Sequence, residues 1–132
     1  MPQDIHIESK EGYLHVEVFG VFDCTKAKEF VRQILNACHQ HAVWKIFVDI
    51  RNIKGPIPTM SRFELAEFLA SEQTVPVRMA VLESQVQVPN DRFFENVAVN
   101  RGAIVKVSTE LGEAFEWLEI RSGNSSDAGG GK

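Results

Sequence analysis

Histidine and glutamate side chains alternate near the N-terminus, and their types suit a divalent metal ion. The four residues are His6, Glu8, His15 and Glu17. Imidazole and carboxylate groups are ligands that zinc accepts. The same residues would also form two cross-strand His–Glu pairs on an exposed sheet face, which is an ordinary way to stabilise a sheet. The second interpretation is favoured, and we predict no metal site and no bound cofactor.

The remaining histidines and the cysteines form no recognisable catalytic motif. Cys24 and Cys38 lie in no metal or redox spacing, and both are expected to be reduced. His39 and His41 are two positions apart, and such positions do not share a helix face. Because no nucleophile–base pair and no metal set is visible, we predict that the protein is not an enzyme.

An acidic residue and two basic residues lie at the end of an apolar strand predicted for Trp44–Ile50. Burying the charge of Asp49 unpaired would be costly, so we expect it to accept hydrogen bonds from loop or helix-terminal N–H groups. Arg51 and Lys54 could contact an anion there, or they are simply solvated loop charges. A ligand or regulatory site tends to lie at the carboxyl end of such a strand. The binding residues predicted here are Asp49, Arg51, Asn52, Lys54 and Gly55.

A loop and a helix start follow this strand. Gly55 and two prolines exclude regular structure, and Ser61 with Glu64 has the S-x-x-E spacing of a capping box. Apolar residues of the helix occupy more than one stripe, so the helix is either widely buried or offers apolar surface to a partner, with Phe68 as the predicted contact. Aromatic residues could also line a pocket for an apolar ligand, although core packing explains most of them: Phe63, Phe68, Phe93, Phe94, Phe115 and Trp117.

The elements that must position these residues begin with a β-hairpin. Ile5 and Ile7 alternate with polar residues, as do Leu14, Val16 and Val18, which is the pattern of half-buried strands. With Glu11-Gly12 as a two-residue turn, Ile7 faces Val16 and Ile5 faces Val18. A slip by one residue would place the apolar side chains opposite the wrong face, so the pattern supports this register or one shifted by two.

The rest of the chain alternates helices and strands. A continuous apolar stripe predicts a helix that starts at Asp23 or Thr25 and ends at His39 to His41; the stripe is Ala27, Phe30, Val31, Ile34, Leu35 and Cys38. Further predicted elements are strands at 77–82 and 103–107, a third helix from Pro89 to Arg101, and a last helix capped by Ser108 or Thr109. The order ββαβαβαβα predicts an α/β fold: a mixed sheet of about five strands with an N-terminal hairpin and four helices.

Composition limits the class of partner. The net charge of −4 argues against a protein that binds the phosphate backbone of nucleic acid, which needs a basic face. No run of about 18 apolar residues is present, so we predict no integral membrane segment. The N-terminus has no apolar signal core, and a cytoplasmic location is expected. We predict one domain over residues 1–120 and a disordered polar tail over residues 121–132.

The order of elements and several local strings resemble the STAS domain, and most closely its divergent SpoIIAA-like branch. The strings are Lys45–Ile53, Arg78–Leu82 and Glu113–Leu118, within a likeness that covers roughly residues 4 to 120. The family is that of bacterial anti-sigma-factor antagonists. The resemblance implies a STAS-like α/β fold and a regulatory role exerted through protein–protein interaction.

The resemblance also implies a phosphorylation motif, which this chain lacks. Phosphorylated STAS antagonists carry an Asp-Ser-Ser-Gly-like motif after the central strand, and those four positions fall here on Ile57, Pro58, Thr59 and Met60. Thr59 or Ser61 could stand in, since a phosphate at a helix start would meet free N–H groups and the positive end of the dipole. The alternative is that Ser61 only caps the helix and that Thr59 is an ordinary loop residue.

Together these observations predict a non-enzymatic, STAS-like regulatory module that binds a protein partner through the loop after the central strand and the following helix. The alternative is a carrier or sensor of a small apolar or anionic ligand, lipid-like or nucleotide, because the SpoIIAA-like branch resembles lipid-binding carrier domains in fold. A homodimer is compatible with either function.

Overall fold

A computed structural model describes residues 2–84 and 104–119. One five-stranded sheet has the spatial order β1-β2-β3-β4-β5, in which β1 and β2 are antiparallel and all later neighbours are parallel. The strands are β1 (Asp4–Lys10), β2 (Tyr13–Val21), β3 (Lys45–Lys54), β4 (Arg78–Leu82) and β5 (Ile104–Ser108), and the described helices are α1 (Cys24–His41), α2 (Thr59–Glu72) and α3 (Leu111–Leu118). The mixed sheet with an N-terminal hairpin is confirmed. The helix predicted from Pro89 to Arg101 and the tail 121–132 lie outside the described residues.

The hairpin has the register predicted from its alternating pattern. Ile7 pairs with Val16 and Ile5 pairs with Val18, while Gly12 adopts a φ of 87° at the turn. A positive φ at this position suits glycine, which has no Cβ to clash. The same register sets Glu8 opposite His15 and His6 opposite Glu17, as expected for cross-strand pairs. The glycine turn and the alternation of apolar and polar side chains were together sufficient to predict this hairpin.

The two faces of the sheet are covered by different helices. Successive parallel crossovers from β2 to β3 and from β3 to β4 advance in one direction, so right-handed connections place α1 and α2 on the same face. We call this the first face; Ile46 and Val48 of β3 pack on it. The adjacent residue Phe47 points to the second face, where it packs with Ala80, Leu82 and residues of α3. Burial on both faces explains why β3 is nearly uninterrupted in its apolar sequence.

Helix α1 follows its apolar stripe. Ala27, Phe30, Ile34, Leu35 and Cys38 are buried, as the spacing predicts. The Asp23 side chain caps the helix by accepting a hydrogen bond from the Lys26 N–H at 3.2 Å. Burial raises the pKa of the Cys38 thiol to about 11, because a low-dielectric environment disfavours the thiolate. Cys38 is therefore a core residue and not a reactive one.

The N-terminal segment docks against the start of α1. Gly20 has a φ of 97°, and a Cβ there would lie 2.2 Å from the Pro2 carbonyl oxygen. Gln3 is buried beside it and accepts a hydrogen bond from the backbone N–H of Asp23 through its side chain. Only glycine allows the first residues of the chain to cross β2 so closely.

Helix α3 is attached to the second face by a cation–π contact as well as by apolar packing. The Arg78 guanidinium lies 4.4 Å from the centroid of the Trp117 ring and donates a 2.7 Å hydrogen bond to the Trp117 carbonyl oxygen. Ser108 was predicted as a cap for this helix, but the N-cap residue is Glu110, which makes no side-chain capping bond. The Ser108 hydroxyl instead accepts from the Glu110 N–H at 3.0 Å and donates to Glu113 at 2.7 Å.

Strand β3 is longer than predicted and projects beyond its neighbour β4. It ends at Lys54 instead of Ile50, because β2 continues to pair with it as far as Val21–Lys54 across a register irregularity. Strand β4 pairs with β3 only as far as Asp49–Leu82. The last residues of β3 therefore pair with β2 alone among the described strands. This projecting end carries the loop that leads into α2.

Candidate functional site

The loop between β3 and α2 is anchored by one buried apolar residue. Gly55 turns the chain with a φ of 83°, and Ile57 inserts into the core with 7 % of its surface exposed. The Arg62 Nε donates a 3.3 Å hydrogen bond to the Ile57 carbonyl oxygen. Lys54, Gly55 and both prolines of the loop are exposed. The loop thus has a fixed base and an exposed rim.

Helix α2 begins three residues earlier than the capping box requires, because its N-cap is residue 58 and not residue 61. Pro58 is the N-cap, with extended φ and ψ of −60° and 148°, and no side chain caps the helix. The predicted cap at Ser61 is therefore wrong, because Ser61 already lies within the first turn. Its hydroxyl is hydrogen bonded to the Cys24 thiol, whose pKa is raised by burial despite that bond. Glu64 pairs with Lys28 at 3.2 Å instead of reaching back to the helix start.

The two residues that precede Ser61 are the accessible ones at this helix start. Thr59 is exposed, and Met60 has 65 % of its surface exposed, although it is large and apolar. The first turn contains no acidic side chain. The first N–H groups of a helix have no intrahelical acceptor, and they carry the positive end of its dipole. This end of α2 therefore combines an apolar contact residue with an anion-compatible backbone.

Asp49 and Arg51 are paired with each other. The Asp49 carboxylate accepts hydrogen bonds from the Arg51 Nε at 3.0 Å, from Nη2 at 2.8 Å and from the Arg51 backbone N–H at 3.0 Å. Burial on its own would raise the pKa of Asp49, but these bonds outweigh it and hold the pKa below its ordinary value. Asp49 was expected to bind loop or helix-terminal N–H groups, and its main partner is instead the neighbouring guanidinium.

The predicted binding residues fall into three separate places. Asp49 and Arg51 project on the second face, and Asn52 donates from its side-chain nitrogen to Glu17 at 3.0 Å. Lys54, Gly55 and Thr59 lie on the loop rim and at the helix start. Phe68 lies farther along α2, in a groove beside α1. The sequence order therefore suggests one site where the structure has three.

Phe68 is enclosed by ion pairs that join α1 to α2. The Arg32 guanidinium lies 5.2 Å from the centroid of its ring, and Arg32 also pairs with Glu72 at 3.2 Å. Phe68 is half-buried, in a groove shared with Lys28 and Glu64. Its ring therefore stabilises the packing of the two helices, which competes with the predicted role as an exposed apolar contact.

The sequence analysis missed a buried ion pair between α2 and the end of β4. Arg62 lies 3.4 Å from Glu83 through Nη1, and the two side chains are 5 % and 0 % exposed. Arg62 shares the inward stripe of α2 with Ala66 and Leu69, at i, i+4 and i+7. That spacing is the signal that could have identified it, because an arginine on a buried stripe requires an acidic partner.

The described residues contain no group of three or more histidine, cysteine or acidic side chains arranged to hold a metal ion. The cross-strand His–Glu pairs lie on the strands as predicted, with Lys10 adding an ion pair to Glu8 at 3.5 Å. None of the helices described is both long enough and apolar enough to span a bilayer.

Comparison with known proteins finds matches among solved structures alone. No protein-family model matches the chain. No curated protein matches it either. Among solved structures, the chain is similar to an anti-sigma factor antagonist from Mycobacterium paratuberculosis, with a TM-score of 0.60 and 11 % sequence identity over 89 % of this chain and 95 % of that one. At this identity the likeness establishes the fold alone, and the expected STAS-like fold is confirmed.

Proposed function

Because the chain has the fold of an anti-sigma factor antagonist, we propose that it is a non-enzymatic regulatory module that binds a protein partner. The observation that carries this proposal is the structural likeness over 89 % of the chain, to a protein that is named for acting on another protein. The surface proposed for binding is the loop Asn52–Thr59 together with the first turn of α2, which we call the loop–helix surface.

Local geometry supports the choice of this surface. Its rim is exposed from Lys54 to Pro56, and Met60 is the most exposed of the large apolar side chains among the described residues. Ile57 and the hydrogen bond from Arg62 hold the loop in place from below. A surface that is already ordered loses less conformational entropy when a partner binds. Exposure and preorganisation thus coincide at the loop–helix surface.

Thr59 is the residue proposed for phosphorylation within this surface. Ser61 was an equal candidate from sequence, but it is half-buried and bonded to the Cys24 thiol, whereas Thr59 is exposed. A phosphate on Thr59 would face first-turn N–H groups with no acidic side chain nearby in that turn. The modification would place two negative charges at the centre of the proposed contact, and would thereby switch partner binding.

The binding surface is tested by changing one exposed apolar residue on it and one on α3, the helix that packs on the second face. Met60→Glu introduces a charge on the loop–helix surface, and Leu111→Glu introduces the same charge on α3, where Leu111 is 44 % exposed. The measurement is quantitative capture of partner proteins from an extract of the source organism. We expect Met60→Glu to reduce capture of the main partner about tenfold, since truncating or charging a central contact costs about 1–3 kcal/mol.

Leu111→Glu should leave the capture of that partner unchanged. Circular dichroism of both variants establishes that they remain folded. Equal capture by wild type and Met60→Glu would show that the loop–helix surface is not the binding surface. Loss of capture in the Leu111→Glu variant alone would indicate that the partner binds to α3 instead.

A further inference from the structure

A cavity of about 120 Å³, partly open at its mouth, lies between the first face of the sheet and helices α1 and α2. Its wall is almost entirely apolar, with Phe30, Ile34, Val48, Leu69 and Met79 among the residues that line it. Close-packed protein interiors contain few voids larger than one water molecule. A void of this size is therefore a specific feature of the packing.

The polar part of the wall is electrically balanced. Arg62 and Glu83 both border the cavity and lie 3.4 Å apart, so the two buried charges cancel. Gln3, the other polar residue of the lining, is neutral. An anion in the cavity would meet the Glu83 carboxylate, and a cation would meet the Arg62 guanidinium. The wall therefore favours an uncharged occupant.

Water is a poor occupant of such a space. Cavities of about 150 Å³ with purely apolar walls stay dry and bind benzene or xenon instead. The apolar side chains of this cavity offer no hydrogen bonds, and its charged groups already bind each other. A compact hydrocarbon of about six heavy atoms matches both the volume and the chemistry.

We propose that this cavity is a binding site for one small, uncharged, apolar molecule. The site is separate from the loop–helix surface in its chemistry, but Ile57 belongs to both, because its side chain lines the cavity and its segment forms the loop. An occupant would contact this anchor directly. Binding in the cavity would thus alter the position of the loop without touching the exposed rim.

The test is a titration of methyl-labelled wild-type protein with benzene, followed by NMR. Methyl signals of Ile34, Val48 and Leu69 should shift and reach saturation, because these residues line the cavity. Methyl signals of Leu82 and Leu118 serve as an internal control, since they belong to the separate core on the second face. Benzoate has the same ring with a negative charge, and it should produce no saturable shift.

A pair of variants on α1 links the shifts to the cavity. Ala27 lines the cavity, so Ala27→Leu should fill part of it and weaken benzene binding about tenfold or more. Ala37 packs elsewhere on the same helix and does not line the cavity, so Ala37→Leu should retain the wild-type affinity within about twofold.

Three results would overturn the proposal. They are the absence of saturable shifts in the wild type, shifts of equal size in the Leu82 and Leu118 methyls, and benzoate binding as tightly as benzene. The wild-type titration decides the matter even if Ala27→Leu does not fold. None of these results depends on whether the loop–helix surface binds a protein.

Discussion

Asp49 shows how one neighbour along a strand fixes the charge state of a buried carboxylate. Arg51 lies two residues after Asp49, at the irregularity in the β2–β3 register, and its guanidinium reaches the Asp49 carboxylate at 2.8 Å. The pKa of Asp49 lies below its ordinary value because these hydrogen bonds outweigh the effect of burial. A carboxylate with a lowered folded-state pKa stabilises the fold above its unfolded-state pKa, and that contribution disappears as the pH falls through the folded-state value.

Replacing Asp49 with asparagine should therefore destabilise the protein in a pH-dependent way. At pH 7 we expect Asp49→Asn to lower the free energy of unfolding by about 1–2 kcal/mol, since the bonds are charge-assisted but Arg51 is half exposed. The difference from wild type should begin to shrink below about pH 4, where the carboxylate of the unfolded chain becomes protonated, and it should disappear as the pH falls through the lowered folded-state pKa. Urea unfolding at pH 7, 5 and 3 measures it.

The matched control for this experiment is Asp4→Asn. Asp4 is exposed on β1 and accepts only from the N–H of the next residue, so little change in stability is expected at any of the three pH values. A difference between Asp49→Asn and wild type that stays constant from pH 7 to pH 3 would contradict the assignment of the Asp49 charge.

The sequence predicted that Asp49 would need partners but not which ones. Burial cost is a property of one residue and can be inferred locally, which is why the prediction of a structural, hydrogen-bonded Asp49 was correct. Arg51 was left between an anion contact and a solvated loop charge, because the extra length of β3 was not foreseen. Arg62 was missed altogether, since the apolar residues around it hid the stripe that it shares with Ala66 and Leu69.

Helices α1 and α2 begin in different ways, and their sequences indicate only one of them. Asp23 precedes α1 and caps it as a side chain of its type should. At α2 the S-x-x-E pattern is present, but Pro58 supplies the extended backbone of an N-cap without any capping side chain. A proline restricts φ to about −65°, so it can precede a helix whatever residue follows it. The start of α2 therefore follows the backbone conformation of Pro58 and not the S-x-x-E motif.

This difference predicts unequal costs for two alanine substitutions. Asp23→Ala should lower the free energy of unfolding by about 1 kcal/mol, because it removes the acceptor of the Lys26 N–H. Ser61→Ala should cost less than about half as much, because it removes only a bond to the Cys24 thiol. Chemical denaturation of both variants under one set of conditions gives the comparison. Equal costs would mean that Ser61 does act as a cap.

The presence of a strand was easier to predict from the sequence than the residue at which the strand ends. The hairpin register followed from alternation and a Gly turn, both of which are contained within about fifteen residues of sequence. The end of β3 depended on where β2 ends, since Val21 pairs with Lys54 across the sheet. Polar residues in this extension made it resemble a loop, although Ile53 within it is buried. The pairing of β3 with β2 cannot be predicted from the residues of β3 alone.

At the scale of the whole domain, the fold could be predicted from the sequence, whereas the candidate site could be predicted only in part. Binary patterning and the order of elements predicted a mixed α/β sheet, and the resemblance to the STAS domain implied its fold, which the structural likeness confirms. The candidate residues from Asp49 to Phe68 span only twenty positions, yet they reach the second face, the loop rim and the α1–α2 groove. The turn at Gly55 and the length of α2 separate them, so closeness in sequence did not give closeness in space.

The cavity on the first face has a further consequence, for the volume of the folded protein. A cavity of about 120 Å³ per molecule is about 70 mL per mole, and the volume decrease on unfolding scales with the unfilled internal space that is lost, without being equal to it. Unfolding should therefore be strongly favoured by hydrostatic pressure. Ala27→Leu, which fills part of the void, should unfold at a higher pressure than wild type, and tryptophan fluorescence under pressure measures the midpoint. An unchanged midpoint would mean that the cavity collapses before the chain unfolds. The space that could admit a small molecule would thus also make the folded state sensitive to pressure.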